Sequence, residues 1–435
     1  MKAQPRAPGI ENRVPGFRWT LFILFLVIIT VNYVDRSAIS VALPLIIPQF
    51  HLNPLTTGAI LSAFFWTYAA MQLPSGWLAD RLKPRALTAA STIGWGVVEA
   101  LTAIASTTGV LVLLRLLLGV FEGPIYPAGA KLNAVWLTKD ERARGGTLLD
   151  AGAPLGTAIG GVTIVGLIGW LGSWQAAFVV AGVLTTLLGI LAAAVIRNHP
   201  NEHRRVQPAE LAYLTNAHSD EDRGITNNPR RGNLVNYFGY VSFWTMCLGW
   251  LGFDVVFYGL LSWVPEYLTK YRHIPFAVSG GAVFIIFGMG FVGELTGGQL
   301  ADYWLRKSTA RNRVLRTLLG LAAAITTVAV FLVAFIPSAS AAVALLAVVL
   351  FFLRWAGIYW SIPAILTDEA HVGILGGAMN FMGNVGGIVA PFTVGAILTV
   401  THSFFWALMM FAGAGLLWFM CSVIMDYSRK LPIPE

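Results

Sequence analysis

Charged residues are scarce in this sequence. Asp, Glu, Lys and Arg make up 11% of its 435 residues, whereas a soluble domain usually carries about 25%. Hydrophobic residues account for 56%, and the mean hydropathy is +0.69. The apolar runs are too long for β-barrel strands, which alternate over about 10 residues. The composition therefore excludes an ordinary soluble protein and predicts an all-α membrane protein.

Cysteine and histidine are too few, or too dispersed, for the sites that they usually form. Cys247 and Cys421 both fall within apolar runs, so no disulfide framework is predicted. All seven histidines lie outside these runs or at their ends, and we therefore expect neither a metal site nor a cofactor. The sequence has no P-loop for ATP-driven pumping and no visible nucleophile–base pair, so we do not expect an enzyme.

Apolar runs of about 20 residues, the length that crosses a hydrocarbon core about 30 Å thick, predict twelve membrane-spanning helices. Their approximate ranges are 19–43, 56–78, 86–107, 110–136, 145–168, 174–196, 238–263, 278–301, 315–336, 341–364, 374–399 and 403–426. The first run is too long for a secretory signal, and no small-residue cleavage site follows it before the next charges. We expect it to be an uncleaved anchor.

A polar segment divides the predicted helices into two groups of six. Residues 197–237 are rich in charges and turn formers, and they predict a cytoplasmic linker. The N-terminal half is expected at 19–196 and the C-terminal half at 238–426. Residues 1–18 and 427–435 are predicted to be cytoplasmic termini.

A weak internal repeat relates the two halves. "GWLADRLKPR" (Gly76–Arg85) follows the second predicted helix, and "GQLADYWLRK" (Gly298–Lys307) follows the eighth. Each has a glycine, then an aspartate (Asp80 or Asp302) four residues later, and then basic residues. Duplicated halves with a substrate site between them are the plan of many secondary transporters.

The net charge of +8 is compatible with a nucleic-acid partner, but its distribution favours a membrane protein. Basic residues concentrate in the termini, the linker and alternate loops, whereas the opposite loops hold only Lys270 and Arg272. This positive-inside pattern places both termini in the cytoplasm. We expect a multi-pass monomer in a bacterial inner (plasma) membrane. The lipid bilayer is its expected partner, and no nucleic-acid partner is expected.

Sequence motifs resemble one superfamily of transporters. The G-x-x-x-D-R loop at Gly76 resembles the cytoplasmic signature of the major facilitator superfamily, although Lys83 stands where the signature usually has glycine. "NYVDR" (32–36), "FEGPIYPAGAK" (121–131) and "MNFMGNVGGIVAP" (379–391) resemble its anion:cation symporter family, especially the sugar-acid:proton symporters. The resemblance covers essentially the whole chain.

This resemblance implies a major facilitator fold of two six-helix halves. It also implies import of a small organic anion, a sugar acid or another carboxylate, by proton-coupled symport with alternating access. One alternative is an anion exchanger or uniporter on the same fold, in which the buried acids are structural. A more remote alternative is a non-transporting membrane receptor or membrane-embedded enzyme.

Ten ionisable residues fall within the predicted helices. They are Asp35, Arg36, Glu99, Arg115, Glu122, Lys131, Asp150, Asp254, Glu294 and Arg354. A charge at the centre of a membrane costs about 2.5–3.5 kcal/mol on insertion scales. Most of these side chains must therefore face one another or a wet cavity, and the sequence predicts the polar interior that a transporter needs.

Asp35 and Arg36 interrupt the first apolar run. Asp35 lies about 24 Å along the helix from Trp19, in the outer half of the membrane. Tyr33 and Arg36 are three residues apart and share a helix face. Asp35 and Arg36 are either a pair that neutralises itself, or Asp35 is a proton carrier that titrates when its neighbour moves away. The resemblance implies the second role.

Glu122 and Arg115 lie seven residues apart, two turns along one face of the fourth predicted helix. They either form a static bridge, or Glu122 is a second proton site and Arg115 a carboxylate ligand. We favour the second role because guanidinium binds carboxylate bidentately and keeps its charge. The resemblance implies the same roles. It adds five substrate contacts: Tyr33, Arg36, Tyr68, Trp360 and Asn380.

Two other sets of charges have simpler interpretations. Lys131 lies near the cytoplasmic end of its helix, where a lysine usually extends to the interface. The loop motif is interpreted as a gate between helices: Gly76, Asp80, Arg81, Arg85, Gly298 and Asp302. The sequence does not predict which way the side chains of Glu99 and Glu294 face.

Three charged residues depart from the pattern of the sugar-acid:proton symporters that this sequence resembles. Asp150 appears in the fifth helix, where Ala153 replaces a substrate-contacting glutamine, and Asp254 and Arg354 appear in the seventh and tenth. The repeat predicts that Asp254 faces the same cavity as Asp35. We expect Asp254 and Arg354 to meet across it, or Arg354 to bind a second acidic group with Asp254 as its resting partner. A less hydroxylated, aromatic or two-headed acid is as compatible with these residues as a hexonate.

Overall fold

The computed structural model describes residues 16–138, 141–224, 234–308, 310–367 and 371–431. All regular secondary structure within these ranges is helical. The α-helices are α1 (Phe17–Phe50), α2 (Pro54–Leu82), α3 (Pro84–Thr102), α4 (Thr108–Glu122), α5 (Ile125–Trp136), α6 (Arg142–Leu171), α7 (Trp174–Val195), α8 (Pro208–Gly224), α9 (Val241–Glu266), α10 (Phe276–Lys307), α11 (Arg311–Val333), α12 (Ala339–Leu353), α13 (Ile362–Leu366), α14 (Val372–Thr401) and α15 (Phe404–Ile424). A π-helical turn, Tyr267–Tyr271, continues α9, and a 3-10 segment, Arg354–Ser361, joins α12 to α13.

Ten helical segments of the described chain are long and apolar enough to cross a membrane. The second and third predicted helices correspond to α2 and α3, which are not among these ten, so the predicted count of twelve is not confirmed. The predicted termini 1–18 and 427–435 and the predicted linker 197–237 lie partly outside the described residues. The predicted division into two halves stays a prediction.

The fourth predicted helix, 110–136, is broken after Glu122. Pro124 lacks an N–H group and cannot continue the hydrogen-bond ladder, so a new helix begins after it. The preceding turns of α4 pack closely on α2, because a Cβ atom built at Gly119 would lie 2.3 Å from the carbonyl oxygen of Phe64. Such close approach requires glycine. Glu122 is therefore the last residue of α4, held against the first-half helices.

Helices α1–α7 contact helices α9–α15 at the end of the bundle where α1 ends and α2 begins. A Cβ atom built at Gly58 in α2 would lie 2.6 Å from the carbonyl oxygen of Pro391 in α14. Likewise, one built at Gly280 in α10 would lie 2.8 Å from the carbonyl oxygen of Gly161 in α6. Toward the termini, one built at Gly377 meets no atom within 4 Å. The two groups of helices, α1–α7 and α9–α15, are thus in close backbone contact at this end.

A helix of the polar segment is anchored to the first half. Arg18 of α1 forms ion pairs with Glu141, at 2.7 Å, and with Glu210 of α8, at 3.0 Å. The Glu210 carboxylate is fully buried. This contact fixes α8 beside the starts of α1 and α6.

Candidate functional site

A cavity has residues of α1, α2, α5 and α6 in its wall, together with residues of α9, α14 and the 3-10 segment. It is lined by Tyr33, Tyr68, Gln72, Tyr126, Asp150, Ala153, Trp250, Phe253, Asp254, Phe257, Tyr258, Arg354, Gly357, Trp360, Asn380 and Asn384. Aromatic rings form half of this wall, and amide, carboxylate and guanidinium groups form most of the rest. Such a surface suits a small ligand with both a carbon face and polar groups.

Several residues that the sequence singled out lie in this wall. Of the six predicted substrate contacts, Tyr33, Tyr68, Trp360 and Asn380 line the cavity. The three charges outside the sugar-acid pattern line it as well: Asp150, Asp254 and Arg354. Their roles in binding stay predictions.

Arg36 lies directly behind the cavity wall, in a cage of aromatic rings. Its Cζ is 4.5 Å from the ring centroid of Tyr33 and 4.8 Å from that of Tyr68. Its Nε and NH2 donate hydrogen bonds to Glu122 Oε2 at 3.2 and 2.8 Å. Its Nη1 is buried and has no hydrogen-bond partner among the residues that the structure describes. A ligand that displaces Tyr33 or Tyr68 slightly would reach this guanidinium.

Asp35 does not pair with Arg36, so that alternative was wrong. Its Oδ2 accepts hydrogen bonds from Trp95 Nε1 at 3.1 Å and Thr185 Oγ1 at 2.7 Å. Consecutive side chains of a helix point in different directions, and Asp35 faces α3 and α7 while Arg36 faces α4. Asp35 is buried and does not line the cavity, unlike Asp254.

Glu122 and Arg115 do not form the static bridge that their spacing suggested. Arg115 NH2 donates to Glu99 Oε2 at 3.0 Å, whereas Glu122 binds Arg36. Seven helical residues separate the two Cα atoms by about 10 Å, so each side chain meets a neighbouring helix instead. Arg115 is buried and does not line the cavity in this conformation.

Arg354 and Asp254 line the same cavity, but the predicted direct pair between them was wrong. Arg354 NH2 and Nε donate to Glu294 Oε2 at 2.5 and 3.2 Å. Arg354 begins the 3-10 segment, which packs on α10, and Gly290 leaves room there for the arginine's methylene groups. Glu294 on α10 is therefore nearer to it than Asp254 on α9.

Gly383 on α14 makes room for Asp254. A Cβ atom built at Gly383 would lie 2.0 Å from Asp254 Oδ2 and 2.5 Å from Trp250 Nε1. We expect Gly383→Ala to lower the free energy of unfolding by about 1–3 kcal/mol through overpacking, measured in detergent solution. Gly377→Ala is the control, because it adds the same methyl group where no atom lies within 4 Å. Equal effects of the two substitutions would contradict the close contact.

The predicted gating motif is only partly described. The side chains of Gly76 and Asp80 lie outside the described residues, although α2 includes both positions. Arg85 ties the start of α3 to the end of α7, because its Nε donates to the carbonyl oxygen of Ala193 at 2.9 Å. The other members are at or near the surface: Arg81 and Asp302 are exposed, and Gly298 meets no side chain. Lys131 is also exposed.

The sequence did not predict the roles of two further candidate residues, because it does not show how each helix is rotated about its own axis. Glu99 and Glu294 are the partners of Arg115 and Arg354. Each buried arginine requires an anion nearby, so the charge count predicts that a partner exists but does not identify it. Trp250, Asn384 and Gln72 of the cavity wall carried no sequence signal of their own.

Comparison with known proteins adds family evidence to this geometry. The family model described as Major Facilitator Superfamily matches residues 25–391. A solved structure of a bacterial homolog of the human lysosomal transporter Spinster, inward-facing and unoccupied, has a TM-score of 0.75 and 16% identity. The alignment covers 95% of this chain and 98% of that one. At this identity the likeness shows the fold alone.

Curated relatives are similar over most of their length. A probable sulfoacetate transporter of Cupriavidus necator is 31% identical over 86% of both chains. A probable galactarate/D-glucarate transporter of Escherichia coli is 25% identical over 93% of both. A D-galactonate transporter of Escherichia coli is 26% identical over 87% of this chain and 88% of that one.

Proposed function

Because the chain belongs to the Major Facilitator Superfamily, we propose that it imports a small organic anion together with protons by alternating access. The proposal adds α2 and α3 to the ten apolar segments, which gives twelve membrane spans in two halves of six. It places both termini in the cytoplasm and the protein, as a monomer, in a bacterial inner membrane. The basic loops support this orientation. In this orientation the cavity faces the cytoplasm.

The observation that carries the proposal is the Arg36–Glu122 ion pair directly behind Tyr33 and Tyr68 in the cavity wall. A substrate carboxylate that binds Arg36 must displace Glu122. An unpaired, fully buried carboxylate is costly, so the displaced Glu122 takes up a proton. Substrate binding and proton uptake are therefore linked at one guanidinium.

The other predicted roles complete the proposal. Asp35 is a second proton carrier, and Arg115 a second anion ligand, in a state in which their present partners have separated. Tyr33, Tyr68, Trp360 and Asn380 contact the carboxylate or hydroxyl groups of the substrate. One monoanion moving with one proton carries no net charge. With two protons, the step gains about 2.3 kcal/mol per 100 mV of membrane potential.

Names of the relatives support an organic acid as substrate, because they are called transporters of sulfoacetate, galactarate, D-glucarate and D-galactonate. Radiolabelled uptake of these acids into proteoliposomes with an imposed pH gradient tests the proposal. A symporter accumulates the acid above its external concentration when the exterior is acidic. An exchanger or uniporter does not respond in this way, and absence of flux for every acid would contradict transport of this class.

A further inference from the structure

The second half also has an arginine in the cavity wall, Arg354. A glutamate pairs with it in the same way as a glutamate pairs with Arg36 in the first half. Arg354 donates from Nε and NH2 to the single oxygen Oε2 of Glu294, at 3.2 and 2.5 Å. Arg36 donates from the same two atoms to Oε2 of Glu122, at 3.2 and 2.8 Å. Each glutamate comes from a different helical segment than its arginine. Each half thus presents one arginine held by one internal carboxylate.

Tyr33 packs on Arg36 and lines the same cavity as Arg354. Tyr33 lines the cavity, and its ring centroid is 4.5 Å from Arg36 Cζ. The Tyr33 side chain is also close enough to Arg354 to interact with it electrostatically. A molecule in this cavity therefore borders Arg354 directly and is separated from Arg36 by the rings of Tyr33 and Tyr68.

Three carboxyl groups lie around Arg354, those of Glu294, Asp150 and Asp254. Asp150 of α6 lies within hydrogen-bonding reach of Glu294, and Asp254 of α9 faces Arg354 across the cavity wall. A Glu294 carboxylate that leaves Arg354 stays among other carboxyl groups and is costly to keep charged.

An independent feature of the same cavity indicates a ligand that accepts hydrogen bonds. Trp250 Nε1 is buried in the cavity wall and has no hydrogen-bond partner among the described residues. It lies one helical turn from Asp254, and both side chains border the space over Gly383. Buried N–H donors almost always have an acceptor, so this donor indicates that a bound molecule supplies one.

We propose that the substrate is a small dianion whose second acidic group binds Arg354, and that Glu294 stands in for that group in the empty protein. This inference rests on the proposed transport function. The first acidic group displaces Glu122 from Arg36, and the second displaces Glu294 from Arg354. Each displaced glutamate takes up one proton, so each negative charge of the dianion is matched by a proton bound at the glutamate that it displaces. The groups facing Glu294 are Asp150 of α6 and Arg354 of the 3-10 segment.

Matched acids that differ in one acidic group test the inference. Dissociation constants are measured by thermal-shift titration of the full-length purified protein with D-galactarate against D-galactonate, and with sulfoacetate against acetate. The wild type is expected to bind each dianion about 10- to 100-fold more tightly than its monoanion, the value of hydrogen bonds to a charged group. The double variant Arg354→Gln/Glu294→Gln, which strands no charge of this pair, is expected to lose that preference.

Two further variants separate binding from folding. Glu294→Gln alone keeps the guanidinium and is expected to keep the preference for the dianion while weakening its dependence on pH. Arg316→Gln is the matched control, because Arg316 lies outside the cavity and its Nε donates to the carbonyl oxygen of Met425. It is expected to leave the preference unchanged.

The outcomes distinguish this inference from the transport proposal. Equal binding of mono- and dianions by the wild type would overturn the dianion site and leave anion transport standing. A preference that persists in the double variant would also overturn it. Failure of every acid to bind and to be transported would overturn the proposed function, and this inference with it.

Discussion

Glu122→Gln is expected to abolish accumulation of substrate driven by a pH gradient and to preserve substrate counterflow. Glutamine has nearly the same shape as glutamate, and its oxygen can still accept a hydrogen bond from Arg36. It carries no titratable proton, so a gradient of protons can no longer drive net uptake. Counterflow exchanges labelled for unlabelled substrate without net proton movement. Both activities are measured in the same proteoliposomes.

Glu266→Gln is the matched control for this experiment. Glu266 is also a buried glutamate, but it lies at the far end of α9, paired with Lys270 and away from the cavity. Its substitution is expected to leave pH-driven accumulation intact. Loss of both accumulation and counterflow in Glu122→Gln, with normal protein yield, would instead assign Glu122 a structural role.

The structure also changes the expectation for Asp35→Asn. One interpretation of the sequence was that Asp35 pairs with Arg36. In that case, substitution of Asp35 would leave the Arg36 guanidinium without an anion. Arg36 is instead held by Glu122, so Asp35→Asn leaves that ion pair in place. The effect of the substitution then falls on the hydrogen bonds from Trp95 and Thr185 and on any proton that Asp35 carries.

The sequence predicted which charges are buried but not which charges meet. Burial was predictable because an ion in an apolar run of 20 residues has no route to water unless the protein provides one. Pairing depends on helix rotation and interhelical distance, which small residues set. Glycine at 119 lets α4 pack against α2, and no periodicity within α4 encodes that contact or the pairing of Glu122 with Arg36.

The internal repeat predicted the level of a residue along its helix, but not which residues its side chain contacts. It placed Asp254 at the depth of the cavity wall, where the structure has it. It also made Asp35 the counterpart in that wall, whereas Asp35 is enclosed between α3 and α7. A duplicated backbone preserves the level of a residue along a helix, but each half has since filled the surrounding space with different side chains.

Arg354→Leu is expected to lower the free energy of unfolding by about 3–5 kcal/mol, because it strands the carboxylate of Glu294 in a nearly buried position. Adding Glu294→Leu is expected to restore most of that loss, since the double substitution replaces an ion pair by apolar groups. Chemical denaturation of all variants in one detergent gives the coupling free energy from the double-mutant cycle.

Asp254 supplies the matched cycle, because it lines the same cavity as Arg354 without forming an ion pair with it. The double variant Arg354→Leu/Asp254→Leu is expected to lie near the sum of its single variants, with a coupling well below that of the Glu294 cycle. A larger coupling with Asp254 than with Glu294 would contradict the pairing in the structure. It would also transfer the role of internal stand-in from Glu294 to Asp254, because whichever carboxylate holds Arg354 in the empty protein is the one that a second acidic group must displace.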